Sequence, residues 1–220
     1  MDHFADLPSC RKSIADIFLT LKAIVIKEGF GSEIDWQDQI VFSEISETEF
    51  LKEAAWVILS SGMRETVVRR KFPYISRAFF EWEAAQKIVR HKHKCISQAM
   101  RQFGHKGKIN AIVQVATHVF RNGFDAVRKG IEMKGVEYIT QLPYMGPATS
   151  YHFAKNVGLD VAKPDRHLIR IAEVAGYTSA QSMCADISEI TGDKIPVIDL
   201  VFWRFATLDR NYLSFFSNSL

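Results

Sequence analysis

Apolar residues in this chain recur at three- and four-residue intervals almost from end to end, the period of helices that each bury one face. Ile14, Ile17, Phe18, Leu21 and Val25 mark one such face, and Phe50, Leu51, Ala54, Ala55 and Ile58 mark another. Strict alternation is scarce, and a short strand is expected only within 34–42. Glycines and prolines separate the periodic segments, at Gly29, Gly62, Pro73, Gly104, Gly123, Gly135, Pro143, Gly158, Pro164, Gly176 and Pro196 among others. About ten helices joined by short loops follow, with no fixed-period repeat. The fold class is all-α.

With 220 residues, 47% of them hydrophobic, the chain can bury a core without cross-links. Cys10, Cys95 and Cys184 stand far apart, so neither a disulfide framework nor a cysteine-held iron–sulfur cluster or zinc site is expected. The early apolar run 14–26 is broken by Asp16 and Lys22, and the first residues are acidic. No signal peptide or membrane span is expected, and the setting is read as intracellular, in the cytoplasm or nucleus. Charge is uneven along the chain: residues 1–61 hold five Lys/Arg against eleven Asp/Glu, and residues 62–134 hold sixteen against five. A block this basic suits phosphate neutralisation, or else forms solvated helix faces. His91, Lys92, His93, Lys94 and Cys95, with His105, include metal-ligand types, but the interleaved lysines oppose a cation and favour a basic surface.

The segment 142–154, LPYMGPATSYHFA, reads as a tight turn entering a helix, with Pro147 at the first helical position and Gly158 just past the end. A short helix over 135–141 precedes it, which makes 135–157 a helix-hairpin-helix with Leu142, Met145 and Phe153 beneath the turn. Such a turn directs backbone amides and a positive dipole end outward, a means of holding a phosphate without reading a base. The same outline also fits a hairpin that only packs two helices. Farther on, Pro164 constrains the approach to Asp165, which stands before the apolar positions Leu168, Ile169, Ile171, Ala172 and Ala175. Asp165 is thus the N-cap of a helix ending at Gly176.

The run LPYMGPATSYHFAKNVGLDVAKPDRHLIRIA resembles the helix-hairpin-helix, Gly/Pro-rich loop and aspartate signature of the DNA glycosylase superfamily that includes endonuclease III and the adenine-mismatch glycosylase. Leu142, Pro143, Gly146 and Thr149 match its LPxxGxxT frame, and Asp165 falls where the family keeps its catalytic carboxylate. Weaker similarity extends through WVILSSG (56–62), and GHKGKINAI (104–112) resembles 3-methyladenine glycosylases. The resemblance covers about 50–205 and is diagnostic over 135–175. It implies a two-lobed fold with a central cleft: 1–48 plus 162–220 as a terminal lobe, and 49–161 as a six-helix barrel lobe containing the hairpin.

The resemblance further implies an enzyme that bends double-stranded DNA, flips out a damaged or modified base and hydrolyses its N-glycosidic bond at Asp165, acting as a monomer without cofactor. Expected DNA contacts are Pro143, Tyr144, Met145, Gly146, Ala148 and Thr149 of the hairpin, Lys106, Lys108 and Arg166, and Met63 with Arg64 as a wedge into the stack. Trp56, where adenine-mismatch enzymes carry a second acid, either lines the base pocket or fills the core. Tyr144 and Pro147 depart from the family pattern, which often has a glycine and a residue with a free amide there. Strand-cleaving relatives carry a lysine where this chain has Ala148, so monofunctional hydrolysis is expected. The alternatives are a non-catalytic helix-hairpin-helix DNA-binding module, or a glycosylase with lyase activity through another amine, Lys155 or Lys163. The excised base is not readable; the 104–112 similarity favours alkylated purines, and modified phage cytosines would mean defence in place of repair.

Overall fold

The computed structural model describes the backbone of residues 7–219 and the side chains of 14–217, and among them every regular element is helical. Two compact units form, one from Met1–Ile40 with Gly158–Leu220 and the other from Val41–Val157. The changeovers lie at 40/41 and 157/158, where the sequence reading placed them at 48/49 and 161/162.

The terminal unit contains α1 (Leu7–Val25), a π-helical turn (Ile26–Phe30), α2 (Gly31–Gln39), α11 (Arg166–Val174), α12 (Ala180–Thr191), α13 (Ile195–Leu208) and α14 (Tyr212–Ser219). α13 is its axis. Val197, Ile198, Val201, Phe202 and Phe205 are buried on it, and Ile14, Phe18, Leu21 and Val25 of α1 pack into the same core. Phe18 and Phe216 both meet Phe202 edge-on, with centroids 5.9 and 5.6 Å away. A helix apolar nearly all round must be enclosed by others, and α1, α2, α11 and α12 enclose this one. Its buried Arg204 pairs with Glu33 of α2 and lies 4.2 Å over Phe30.

The expected strand within 34–42 is instead α2 followed by an extended pair, Ile40 and Val41. Only Ile34 and Gln37 of α2 point inward, a helical three-residue step that the short apolar run Ile40-Val41-Phe42 obscures in sequence. The helix count also exceeds expectation, at fourteen α-helices among the described residues. α5 (Ala85–Arg90) and α6 (Lys92–Gln102) are parted only by His91, with no glycine or proline to mark the break.

The middle unit adds α3 (Glu47–Ser60), α4 (Glu65–Ala78), α7 (Lys106–Asn122), α8 (Phe124–Lys134), α9 (Val136–Ile139) and α10 (Pro147–Asn156). α3 starts at a capping box: Ser46 Oγ accepts from Glu49 N at 3.2 Å, and Glu49 Oε2 accepts from Ser46 N at 2.9 Å. The Ser46 hydroxyl, donating to Glu49 Oε2 at 2.6 Å, and the Ser46 amide hold the Glu49 carboxyl below its ordinary pKa. Phe50 meets Phe124 and Phe153 edge-on at 5.5 and 5.0 Å, which ties α3 to α8 and α10. Between α4 and α5, Phe80, Glu81 and Trp82 all have positive φ (57°, 51° and 65°), a left-handed turn of three residues with side chains. Trp82 anchors it, stacked on Phe79 at 5.1 Å and donating Nε1–H to Ser76 Oγ at 2.9 Å.

Gly130 of α8 is where Tyr138 of α9 crosses: a Cβ there would lie 2.4 Å from the tyrosine ring. Tyr138 in turn shares a 3.0 Å hydrogen bond with His118 Nε2 of α7, so the ring cannot retreat freely. Gly130→Ala is expected to destabilise the protein by about 1–3 kcal/mol despite alanine's better helix propensity, read by urea denaturation. Tyr138→Leu in the same background should recover part of that loss.

Candidate nucleic-acid interface and carboxylate site

In the hairpin, α9 leads into a turn in which Met145 N donates to Leu142 O at 3.1 Å, and α10 begins with Ser150 N donating to Gly146 O at 2.8 Å. Leu142, Met145 and Phe153 are buried beneath it. Gly146 is extended (φ −71°, ψ −179°), as a residue before proline should be, and Pro147 takes the first helical position. Because proline has no N–H, the first turn of α10 offers the amides of Ala148 and Thr149. Met145, expected to contact DNA, spends its amide inside the turn and its side chain in the core. Tyr144 adopts φ +70°, the conformation for which a glycine would be at ease, and its ring is 41% exposed.

Three sequence-distant pieces meet through one side chain. Lys108, in the first turn of α7, is only 2% exposed; its ammonium donates to Leu59 O at 2.8 Å and to Ser61 O at the end of α3. The same Nζ lies 5.8 Å over the Tyr144 ring, and His105 meets that ring edge-on at 6.4 Å. The end of α3, the start of α7 and the hairpin turn are thereby fastened together. Burial pushes the Lys108 pKa below its ordinary value. Lys108 is therefore a structural clamp, and the expectation of an ammonium offered to phosphate is corrected for it. Lys106, two residues earlier, is exposed, as are Arg64 at the N-cap of α4 and Met63, 40% exposed just before it.

Trp56 is half-buried, edge-on to Phe72 at 5.2 Å with the Arg69 guanidinium 5.6 Å over it. Sequence reasoning missed the carboxyl one turn earlier. Glu53 accepts from Asn156 Nδ2 of α10 at 3.1 Å, and burial raises its pKa to about 7 against the opposing pull of Asn156 and Lys52.

In the terminal unit Asp165 caps α11: Oδ1 accepts from His167 N at 2.9 Å and from Leu168 N at 3.1 Å. Oδ2 lies 3.9 Å from Lys163 Nζ, and among the described residues it accepts no hydrogen bond. The loop before it is pinned residue by residue. Asp160 Oδ1 accepts from Ile195 N at 3.0 Å, Ala162 N donates to Gln181 Oε1 at 2.8 Å, and Lys163 N donates to Asp199 Oδ2 at 2.6 Å. Asp199 is 1% exposed on α13, so the unit's axis fixes the loop. Arg166 is exposed and donates Nε–H to His167 Nε2 at 3.2 Å. Burial pushes the His167 imidazole below its ordinary pKa, with Asp165 opposing; its Nδ1 is buried without a hydrogen-bond partner among the described residues, and its ring meets Tyr212 at 5.3 Å. Ile169, one of the apolar positions that mark α11 in sequence, is exposed.

Cys95 and Cys184 are buried, and no cluster of three or more His, Cys, Asp or Glu able to hold a metal occurs among the described residues. No helix there is long and apolar enough to cross a membrane.

No protein-family model and no curated protein sequence matches the chain. The fold matches the crystal structure of Methanocaldococcus jannaschii 8-oxoguanine glycosylase/lyase in complex with a 15mer DNA containing 8-oxoguanine, with a TM-score of 0.61 over 88% of this chain and 98% of that one, at 20% identity. The class defined by this architecture is the all-helical, helix-hairpin-helix DNA glycosylase fold. At that identity the likeness is one of fold.

Two outcomes follow for the middle unit. Lys108→Met leaves two buried carbonyls without their donor and is expected to cost about 2 kcal/mol, whereas Lys106→Met should change stability by under about 0.5 kcal/mol, both by urea denaturation. For Glu53, a folded-state pKa of about 7 against an ordinary 4.5 means that the folded protein retains a proton which the unfolded chain releases between those values. Stability then falls as pH rises through that window and stays reduced above it. Glu53→Gln should exceed the wild type by up to about 3 kcal/mol at pH 8 and by nothing below pH 4.5; a pH-independent difference would refute the raised pKa.

Proposed function

We propose that this protein is a monofunctional DNA glycosylase, which removes a damaged or modified base from duplex DNA by hydrolysis and leaves an abasic site. The observation that carries the reading is Asp165. Its Oδ1 is held by two helix amides while Oδ2, 3.9 Å from the Lys163 ammonium, accepts no hydrogen bond among the described residues, so one oxygen fixes the carboxylate and the other is available to a substrate. Breaking an N-glycosidic bond builds positive charge on the deoxyribose. A fixed anion beside the sugar stabilises that charge and orients a water for attack at C1′; the base leaves with the bonding electron pair and takes up the proton that the water gives up. The amides of Ala148 and Thr149 at the start of α10, with exposed Arg64 and Lys106, supply phosphate contacts, and Met63 supplies an apolar wedge. The fold shared with a glycosylase/lyase crystallised on lesion-containing DNA supports the glycosylase part of this reading.

Ala148 has no amine to offer a Schiff base, and this favours hydrolysis over strand cleavage. Lys163, 3.9 Å from Asp165 Oδ2, favours the second reading, a lyase that uses this amine on the same sugar.

Single-turnover assays on duplexes that each carry one defined lesion or modified base test both. Asp165→Asn should keep duplex binding within a few-fold and lower base release by at least about a hundredfold; undiminished release by that variant ends the assignment. Borohydride should trap no adduct with the wild type, and an adduct abolished by Lys163→Gln would establish the lyase reading instead.

A further inference from the structure

We infer that α4 and α6 form a second nucleic-acid contact surface, separate from the hairpin, which binds the phosphate backbone of the duplex flanking the target nucleotide. The inference rests on the DNA-binding part of the proposed function and extends its footprint.

Each helix carries an exposed basic stripe. On α4, Arg70, Tyr74 and Arg77 follow one another at four- and three-residue steps, and on α6 Lys94, Gln98 and Arg101 repeat the pattern; all six are exposed. The helices pack together, and two contacts set their direction. Lys71 Nζ of α4 lies 5.8 Å over Phe103, just past the end of α6, and Lys94 Nζ near the start of α6 lies 5.7 Å over Phe80, just past the end of α4. The pair is therefore antiparallel, with Arg77 and Lys94 toward one end and Arg70 and Arg101 toward the other. Seven residues separate the two cations on each helix, roughly 10 Å.

Two of these cations, Arg77 and Lys94, are held but not neutralised. The Arg77 guanidinium sits 4.7 Å over Tyr74, and Lys94 sits over Phe80, whose ring the left-handed turn at Phe80–Trp82 presents to it. An aromatic face restrains a cation without cancelling its charge. Of the carboxylates flanking these residues, Glu65 pairs with Arg69 and Glu83 with Lys87 at 2.5 Å, and Glu81, exposed in the left-handed turn, pairs with none of the four cations among the described residues. From 84 to 124 the chain has no Asp or Glu at all. Among the described residues, none of Arg70, Arg77, Lys94 and Arg101 pairs with a carboxylate. Four like charges gathered on two packed helices weaken the fold unless a polyanion meets them, and prearranged cations with interleaved aromatic rings suit a phosphate backbone.

The test measures binding of an undamaged 30-bp duplex by fluorescence anisotropy between 50 and 200 mM KCl, for the wild type and for the combined variant Arg70→Gln, Arg77→Gln, Lys94→Gln, Arg101→Gln. Each lost phosphate contact should make the slope of log K against log [KCl] shallower by about 0.9, about 3.6 for all four. Thermal melting confirms that the variant is folded, and single substitutions, each worth about 0.9, replace it if it is not. An unchanged slope overturns the proposal, as does a wild type whose binding ignores salt. Polyglutamate bound by the wild type and lost in the variant, with the DNA slope unchanged, would reassign the face to an acidic protein and also overturn it. Base release plays no part in this readout, so failure of the glycosylase reading stays distinguishable.

Discussion

A buried ammonium group must find oxygen, and much of the middle unit is arranged around that requirement. Removing the Lys108 charge from water costs several kcal/mol unless carbonyls replace the hydration, and the carbonyls available are those of Leu59 and Ser61. Their positions are thereby set, and so is the exit of the chain from α3 toward Met63 and Arg64. The aromatic face of Tyr144 closes over the same group, so the hairpin turn is referred to the same point. Three loops that would otherwise move separately share one polar centre.

The terminal unit solves a similar problem with the opposite charge. Asp199 is enclosed on the axial helix and takes the amide of Lys163, two residues before Asp165. Asp160 caps α13 from the loop side, and Gln181 holds the amide between them. A loop with this many side-chain bonds to its backbone has few conformations left, and the carboxylate it carries is correspondingly fixed. Preorganisation of this kind is what electrostatic stabilisation of a transient cation requires, since a carboxylate that had to be recruited would lose its advantage in reorganisation.

Much of this was legible in sequence where one residue type has one use. The spacing of Ile14, Ile17, Phe18, Leu21 and Val25 has a single structural meaning, and all five are buried. Pro147, Gly158 and Asp165 mark helix ends because their backbone or side chain leaves little else, and each stands at one. What escaped were charged residues with apolar duties. Lys108 falls in register with Ile112, Val115 and Val119 on the buried face of α7, and Glu53 lies between Phe50 and Val57 on that of α3. That register is the available signal: a charge on a buried stripe is one the fold has partnered. The left-handed turn at Phe80 left no mark, since nothing in Phe-Glu-Trp announces positive φ and only the packing of Trp82 enforces it.

The distinction between engaged and open charges carries from the clamp to the surface. Lys106 and Lys108 stand two residues apart with the same side chain, yet the helical period sends one outward and the other into the core. Summing basic residues along the middle segment treats them as equal; the structure separates a cation that organises loops from cations that, among the described residues, pair with no carboxylate. Arg70, Arg77, Lys94 and Arg101 belong to the second kind, restrained where an aromatic ring lies beneath them and exposed throughout. A fold that supplies a carbonyl pair for one lysine while leaving these four without a carboxylate has placed that charge on a surface, where salt screens it and a polyanionic partner, by displacing the salt, binds it.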